Sequence, residues 1–92
     1  MSTQLDAYLA FLAVEKGLAA NSLEAYARDL GKYEEHLERR GRTAIDAERA
    51  DVVAFLKLLV DGGLKPNSVA RTLSAVRGFQ RHLVREGSRA TN

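Results

Sequence analysis

Cysteine and tryptophan are absent from the 92-residue sequence, and proline occurs only once. Without cysteine the chain can form neither a disulfide framework nor a thiolate metal site, so zinc fingers are excluded and a reducing compartment is indicated. Apolar runs such as those at 52–56 and 58–60 are far shorter than the ~20 residues of a membrane span. Residues 1–6 lack the basic and apolar segments of a secretion signal. These absences predict a soluble cytoplasmic protein.

The length and composition of the chain favour a binding module over an enzyme. Ninety-two residues suit one domain, and 46% apolar with 28% charged residues is the balance of an ordinary globular protein. A chain of this size can bury one small core but has little room for a deep substrate cavity. We therefore expect no cofactor and no small-molecule substrate.

The positive charge of the chain is concentrated towards its C-terminal end, although the formal net charge is only +2. Residues 1–64 contain 8 Lys or Arg against 11 Asp or Glu, whereas residues 65–92 contain 6 basic residues and one acidic residue. Such asymmetry indicates a surface that faces a polyanion. The alternative is a basic helix that is simply solvated, and the charge count alone does not decide between the two.

Apolar residues recur at helical spacing through most of the sequence and predict helices, with no strand. The first helix runs through residues 5–12 and stops before Gly17, a residue type that commonly follows a helix C-terminus. The second begins at Asn21, which can form a capping box with Glu24, and ends at Gly41. The first half of the chain is therefore predicted to be a helical hairpin.

Two further helices are predicted in the second half of the chain. The third runs from Arg49 to Asp61 and is expected to bury Val52, Phe55, Leu56 and Leu59. The fourth begins near Pro66 or Asn67, because proline fits the first helical turn and asparagine is a good cap. Its predicted inner face consists of Val69, Leu73, Val76, Phe79 and Leu83.

One segment of the sequence is echoed later in the chain. GLAANSL at 17–23 resembles GLKPNSV at 63–69, and each copy falls where a short turn leads into a longer helix. The chain is therefore predicted to be all-α, a four-helix orthogonal bundle of two helical hairpins. Each copy also presents helix N–H groups that could bind phosphate oxygens. Alternatively, the echo consists only of residue types that commonly end one helix and cap the next.

The fourth predicted helix has a polar face that is basic and rich in small side chains. Steps of three, four or seven residues place its members on one side, opposite the inner face. They are Asn67, Arg71, Ser74, Arg77 or Gly78, Arg81 and Arg85. A recognition helix in a DNA major groove uses Arg and Asn to bind base edges or phosphates, and small residues such as Ser74 and Gly78 allow close approach.

Two stretches of the sequence carry a family resemblance that spans nearly the whole chain. LAANSLEAYARDL at 18–30 and KPNSVARTLSAVRGFQRHLVREG at 65–87 resemble the N-terminal core-binding, SAM-like domain of tyrosine recombinases, which include phage integrases and the Xer group. The more specific mark is the run Leu-Ser-Ala-Val-Arg-Gly-Phe at 73–79. Lys65 departs from the family pattern, which often has Ser or Thr before the proline.

The resemblance implies sequence-specific binding of double-stranded DNA, with helices two and four crossing the major groove of a recombination half-site. The DNA-contacting candidates that it implies are Asn21, Ser22, Ala25, Arg28, Lys65, Asn67, Ser68, Arg71, Ser74, Arg77 and Arg81. It also implies that a separate C-terminal domain carries the nucleophilic tyrosine, with residues 1–87 forming the binding domain and 88–92 the start of a linker. Self-association on DNA and association with the nucleoid are expected of the full-length recombinase.

No catalytic or metal site is predicted within the chain. His82 and Arg85 reproduce a His-x-x-Arg pattern of the family's catalytic domain, but they fall on the last helix of the binding module. The three tyrosines, Tyr8, Tyr26 and Tyr33, lie on apolar stripes and are expected to pack in the core. His36 and His82 lack metal-ligand spacing and are expected at the surface. The alternative to DNA binding is a helical protein-interaction module, since similar bundles serve protein partners.

Overall fold

The computed structural model describes residues 2–90, and all regular secondary structure in that range is helical. The helices are α1 (Thr3–Val14), α2 (Ala20–Arg39), α3 (Arg49–Asp61) and α4 (Pro66–Arg85). The predicted all-α class and the four-helix bundle are confirmed. The two longest helices, α2 and α4, pack against each other, with α1 in contact with both and α3 closing the other side.

α4 begins at Pro66, one of its two predicted starts, but the cap residues of α2 and α4 differ from the predicted ones in the same way. We expected Asn21 and Asn67 to act as caps, but the N-cap positions belong to Ala19 and Lys65, and neither makes a side-chain capping bond. Proline is best accommodated at the first helical position, so Pro66 moves the cap to Lys65. Asn21 instead accepts a hydrogen bond from the adjacent Ser22 N–H at 3.0 Å. In both copies the N-cap lies two residues before the asparagine, so the two similar sequence segments also have the same position relative to their helices.

The other two helices carry side-chain caps that the sequence analysis missed. The Ser2 hydroxyl accepts a hydrogen bond from Leu5 N–H at 3.0 Å at the start of α1. At the start of α3, the Asp51 carboxylate accepts one from Glu48 N–H at 2.8 Å. Both contacts satisfy backbone donors that a helix N-terminus leaves unpaired. The bounds predicted for α3 are confirmed.

The core is built around aromatic rings contributed by all four helices. Tyr33 packs on Phe55 with ring centroids 5.3 Å apart, and Tyr8 stacks on Phe79 at 5.4 Å. Tyr8 and Tyr33 are therefore core residues, as predicted, and Tyr26 is half-buried against the same cluster. Among the α3 residues expected inside, Phe55 is fully buried, whereas Val52, Leu56 and Leu59 are half-buried because α3 lies at the edge of the bundle.

The prediction that both histidines lie at the surface is wrong. His36 follows Tyr33 by one helical turn on the inner face of α2, and its Nε2 lies 3.2 Å from the Asp51 carbonyl oxygen. His82 lies between the rings of Tyr8 and Phe11, with both centroids 5.0 Å from its own. Burial lowers the pKa of His82. Both imidazoles act as core aromatics because their helical positions face inward.

The chain remains attached to the bundle beyond the end of α4. Ser88 and Arg89 both donate backbone N–H bonds to the Leu83 carbonyl. The Arg89 guanidinium also donates to the carbonyls of Ala44, Ile45 and Ala47 in the α2–α3 connection. These contacts attach the chain to the bundle as far as Arg89. The proposed division at residues 87 and 88 remains a prediction, and residues 91 and 92 of the expected linker lie outside the described range.

Candidate nucleic-acid interface

The residues predicted to contact DNA all lie on the surface of α2 and α4 or at their N-termini. Ala25 and Ser68 are half-buried, and the exposed members are Asn21, Ser22, Arg28, Lys65, Asn67, Arg71, Ser74, Arg77 and Arg81. None is a core residue, so each is sterically able to meet a ligand. Lys65, Asn67 and Ser68 occupy the first turn of α4, where backbone N–H groups lack intrahelical acceptors.

A groove of about 200 Å³ runs between α2 and α4 and brings part of this set together. Ser22 and Ala25 line it from α2, and Arg71 and Ala75 line it from α4. The alanines allow the two helices to approach, while the serine and arginine provide polar groups at the rim. At this groove, the predicted DNA-binding residues of α2 and α4 form one continuous surface.

Asp29 is the acidic member of this groove, and the sequence analysis did not identify it. Its carboxylate lies 3.8 Å from Arg28 Nε and 3.5 Å from Arg71 Nε, and its side chain is only 11% exposed. A signal existed in the sequence, because Asp29 follows Ala25 by one helical turn and shares its face. Buried carboxylates are normally paired, and here the two predicted DNA-contacting arginines supply the pairing.

Arg77 and Arg81 lie on the other side of α4 from this groove. They line a wider cleft of about 540 Å³ between α3 and α4, together with Arg49 and the half-buried Leu73. Within residues 2–90 neither Arg77 nor Arg81 forms an ion pair with a carboxylate, in contrast to Arg71. The basic face of α4 is therefore divided between an α2 side, with one paired arginine, and an α3 side with unpaired arginines.

Gly78 does not provide the clearance for DNA that its sequence position suggested. A Cβ atom at this position would lie 2.6 Å from the Tyr8 hydroxyl oxygen. The missing side chain therefore makes room for α1 to pack on α4. Ser74, one turn earlier, is exposed and remains available for close approach.

The described part of the chain contains no group of three or more His, Cys, Asp or Glu side chains placed to hold a metal ion. Over the same residues, no helix has the length and apolar character needed to cross a bilayer. The polar groups of the surface are guanidinium, ammonium, hydroxyl and amide groups and helix N-termini, together with the Asp29 carboxylate. This chemistry suits anionic or hydrogen-bonding ligands.

The sequence is similar to one known protein family and to curated tyrosine recombinases. Residues 5–87 match the family described as phage integrase, N-terminal SAM-like domain. The chain is 40% identical over 86 residues to the tyrosine recombinase XerD of Agrobacterium fabrum, covering 94% of this chain and 26% of that protein. It is 40% identical over 87 residues to the XerD of Staphylococcus saprophyticus, covering 94% of this chain and 30% of that protein.

The chain thus spans less than a third of the length of these curated relatives. No solved structure matches it. The family match covers α2, α3 and α4 in full and α1 from Leu5 onward, and each of the two relatives is similar over 94% of the chain. The chain therefore belongs to the phage integrase family, in which it corresponds to the N-terminal SAM-like domain.

Proposed function

We propose that this chain binds double-stranded DNA as the core-binding module of a tyrosine recombinase, with α2 and α4 facing the major groove of a recombination half-site. The observation that carries the proposal is the shared α2–α4 groove, where Ser22, Arg28 and Arg71 from two helices meet on one surface. Family membership supports the same conclusion, since its curated relatives are named as tyrosine recombinases.

The charges on this surface suit a duplex. The arginines of α4 can neutralise phosphates, and their bidentate donors can also read guanine edges in the major groove. The α4 N-terminus adds unpaired N–H groups beside Lys65 and Asn67, which favours phosphate at that end. Ser74 is small enough for the helix to approach the bases. We infer that α4 is the principal recognition helix and that α2 supports it.

Strand cleavage requires groups that we do not assign to this chain. We propose that the chain contributes binding and orientation only, and that the nucleophilic tyrosine belongs to another domain of the recombinase. On this proposal the protein works on intracellular, nucleoid DNA, and self-association on DNA is a property of the complete recombinase. The buried tyrosines of the core agree with this assignment, because Tyr8 and Tyr33 are inaccessible to a phosphodiester.

Titration of a labelled duplex with this chain at several salt concentrations tests the proposal. If the surface neutralises ~4 to 6 phosphates, log K should fall against log salt with a slope of roughly −4 to −5. R71A should weaken binding by about 1 to 3 kcal/mol, because one base-edge or phosphate contact is lost. R39A is the matched control, since Arg39 is exposed at the far end of α2 and, among the described residues, forms an ion pair only with Glu35. No binding at low salt, or binding that ignores salt, would contradict the proposal.

A protein-interaction module is the second candidate, and one observation favours it. Val53 and Val60 lie two helical turns apart on α3 and are 55% and 57% exposed. Exposed apolar residues on one helix face can mark a protein contact. This candidate predicts no salt-dependent duplex binding by the unchanged chain and a salt-insensitive association with a protein partner that V53S and V60S abolish. Loss of duplex binding in R71A with no effect of the valine variants would favour DNA instead.

A further inference from the structure

Asp29 places a negative charge within the candidate DNA-binding surface. Its side chain is 11% exposed and lines the α2–α4 groove beside Ser22 and Arg71. A carboxylate in this position repels phosphate, so its removal should by itself strengthen DNA binding. We therefore expect Asp29 to have a role in this surface that offsets its repulsion of phosphate.

The contacts of Asp29 indicate what that role is. Within residues 2–90 its polar partners are two arginines, one from each helix that forms the groove. Oδ1 faces Arg28 Nε at 3.8 Å, and Oδ2 faces Arg71 Nε at 3.5 Å. The arginine side chains remain 59% and 58% exposed, so both face the carboxylate and are still open to a ligand.

We propose that Asp29 is a positioning residue for DNA binding, which holds Arg28 and Arg71 in place before the duplex arrives. The inference rests on the proposed function and deepens it. A flexible arginine loses rotamer freedom when it binds, and this loss opposes association. Restraining two arginines in advance reduces the loss at the moment of binding. It also fixes the spacing of two cations from different helices, which a rigid duplex can then match.

The D29N variant separates positioning from simple electrostatics, because the two predict changes of opposite sign. Asparagine keeps the shape of Asp29 and removes its charge, which electrostatics alone expects to tighten binding. Positioning expects duplex affinity to fall by about 5-fold or more, the effect of freeing two side chains. E24Q is the matched control, since Glu24 is an exposed carboxylate on the same helix with no ion pair among the described residues. E24Q should bind the duplex as tightly as the unchanged chain, or more tightly.

A mutant cycle then asks whether Asp29 acts through the arginines. In a chain that carries R28A and R71A, D29N should no longer weaken duplex binding and should leave the affinity unchanged or higher, because the arginines that Asp29 positions are gone. Thermal unfolding without DNA accompanies each variant. A D29N chain that folds normally and binds as tightly as E24Q would overturn the inference, and so would a full D29N effect in the absence of both arginines.

A second measurement on the unchanged chain remains informative if D29N does not fold. NMR relaxation of the arginine Nε–H groups should show Arg28 and Arg71 more restricted than Arg77, which has no carboxylate partner among the described residues. Equal mobility of the three groups would overturn the inference. Failure of the unchanged chain to bind any duplex would overturn the proposed function, and the positioning role with it. Normal duplex binding with D29N equal to E24Q would overturn the positioning role alone.

Discussion

Replacing Gly78 by alanine tests the packing of α1 on α4, and the structure predicts an effect opposite to the usual one. In the interior of a helix, Gly→Ala normally stabilises by about 0.5 to 1 kcal/mol because alanine loses less backbone entropy. At Gly78 the new Cβ would lie 2.6 Å from the Tyr8 hydroxyl oxygen. The Tyr8 ring is stacked on Phe79 and cannot turn aside easily. Overpacking of this kind costs about 1 to 3 kcal/mol, so G78A should be less stable than the unchanged chain.

G31A is the matched control for this prediction. Gly31 is interior to α2, and a Cβ there meets no atom within 4 Å, so G31A should stabilise. A difference of about 2 kcal/mol between the two variants corresponds to about 8 to 16 °C in Tm for a domain of this size. Removing the hydroxyl with Y8F should convert G78A into a stabilising change. Thermal unfolding followed by circular dichroism measures all four variants, and equal Tm values for G78A and G31A would refute the packing argument.

Three further predictions concern other contacts. R89A should lower the unfolding free energy by about 2 kcal/mol, because three carbonyls lose a charged donor. Amide hydrogen exchange in the 44–47 connection should become faster, and unchanged exchange there would contradict this prediction. Burial raises the pKa of Tyr33 from 10.0 to about 12. The stability that this shift contributes is therefore complete below pH 10 and is lost as the pH rises towards 12. Between pH 9 and pH 11.5 the unchanged chain should lose about 2 kcal/mol more of its unfolding free energy than Y33F does. R77A should weaken all duplex sequences alike and reduce the salt slope by ~1, whereas R71A should also relax base preference; identical profiles for the two would contradict separate roles.

The helices were predictable because their apolar periodicity is strong and their ends carry glycine and proline. α3 begins and ends where expected, and Pro66 identifies the start of α4 within one residue. The error at Asn21 and Asn67 has a local cause. Asparagine is a good cap in general, yet the backbone enters each helix two residues earlier, and a side-chain rule does not report where that turn occurs.

The details that sequence reasoning missed are those in which a polar residue faces inward or a small residue faces another helix. A periodicity rule assigns His36, His82 and Asp29 to the surface because they are polar, whereas tertiary contacts place all three in buried positions. Gly78 was assigned to the DNA side because the partner that fills its space, Tyr8, is 70 residues away in the sequence. These features depend on how α1, α2 and α4 pack together, which no single helix encodes.

The sequence predicted which residues belong to the candidate DNA surface, but not how these residues are placed relative to one another. The expected residues do lie on the exterior of α2 and α4, and whether they contact DNA remains a prediction. The structure adds that Arg71 and Arg77 line different grooves on either side of α4. That separation gives a physical reason to expect distinct roles, and it arises from the neighbours of α4 rather than from its own sequence.

Mapping of backbone amide NMR shifts during titration with a duplex shows which face of the bundle the DNA meets. The perturbed amides should lie in the first half of α2 and along α4 from Pro66 to Arg81, and the perturbations should weaken as salt is raised. The amides of α1 and the exposed face of α3 should change little. Perturbations concentrated around Val53 and Val60, with α4 unaffected, would contradict the claim that α2 and α4 form the DNA-binding surface.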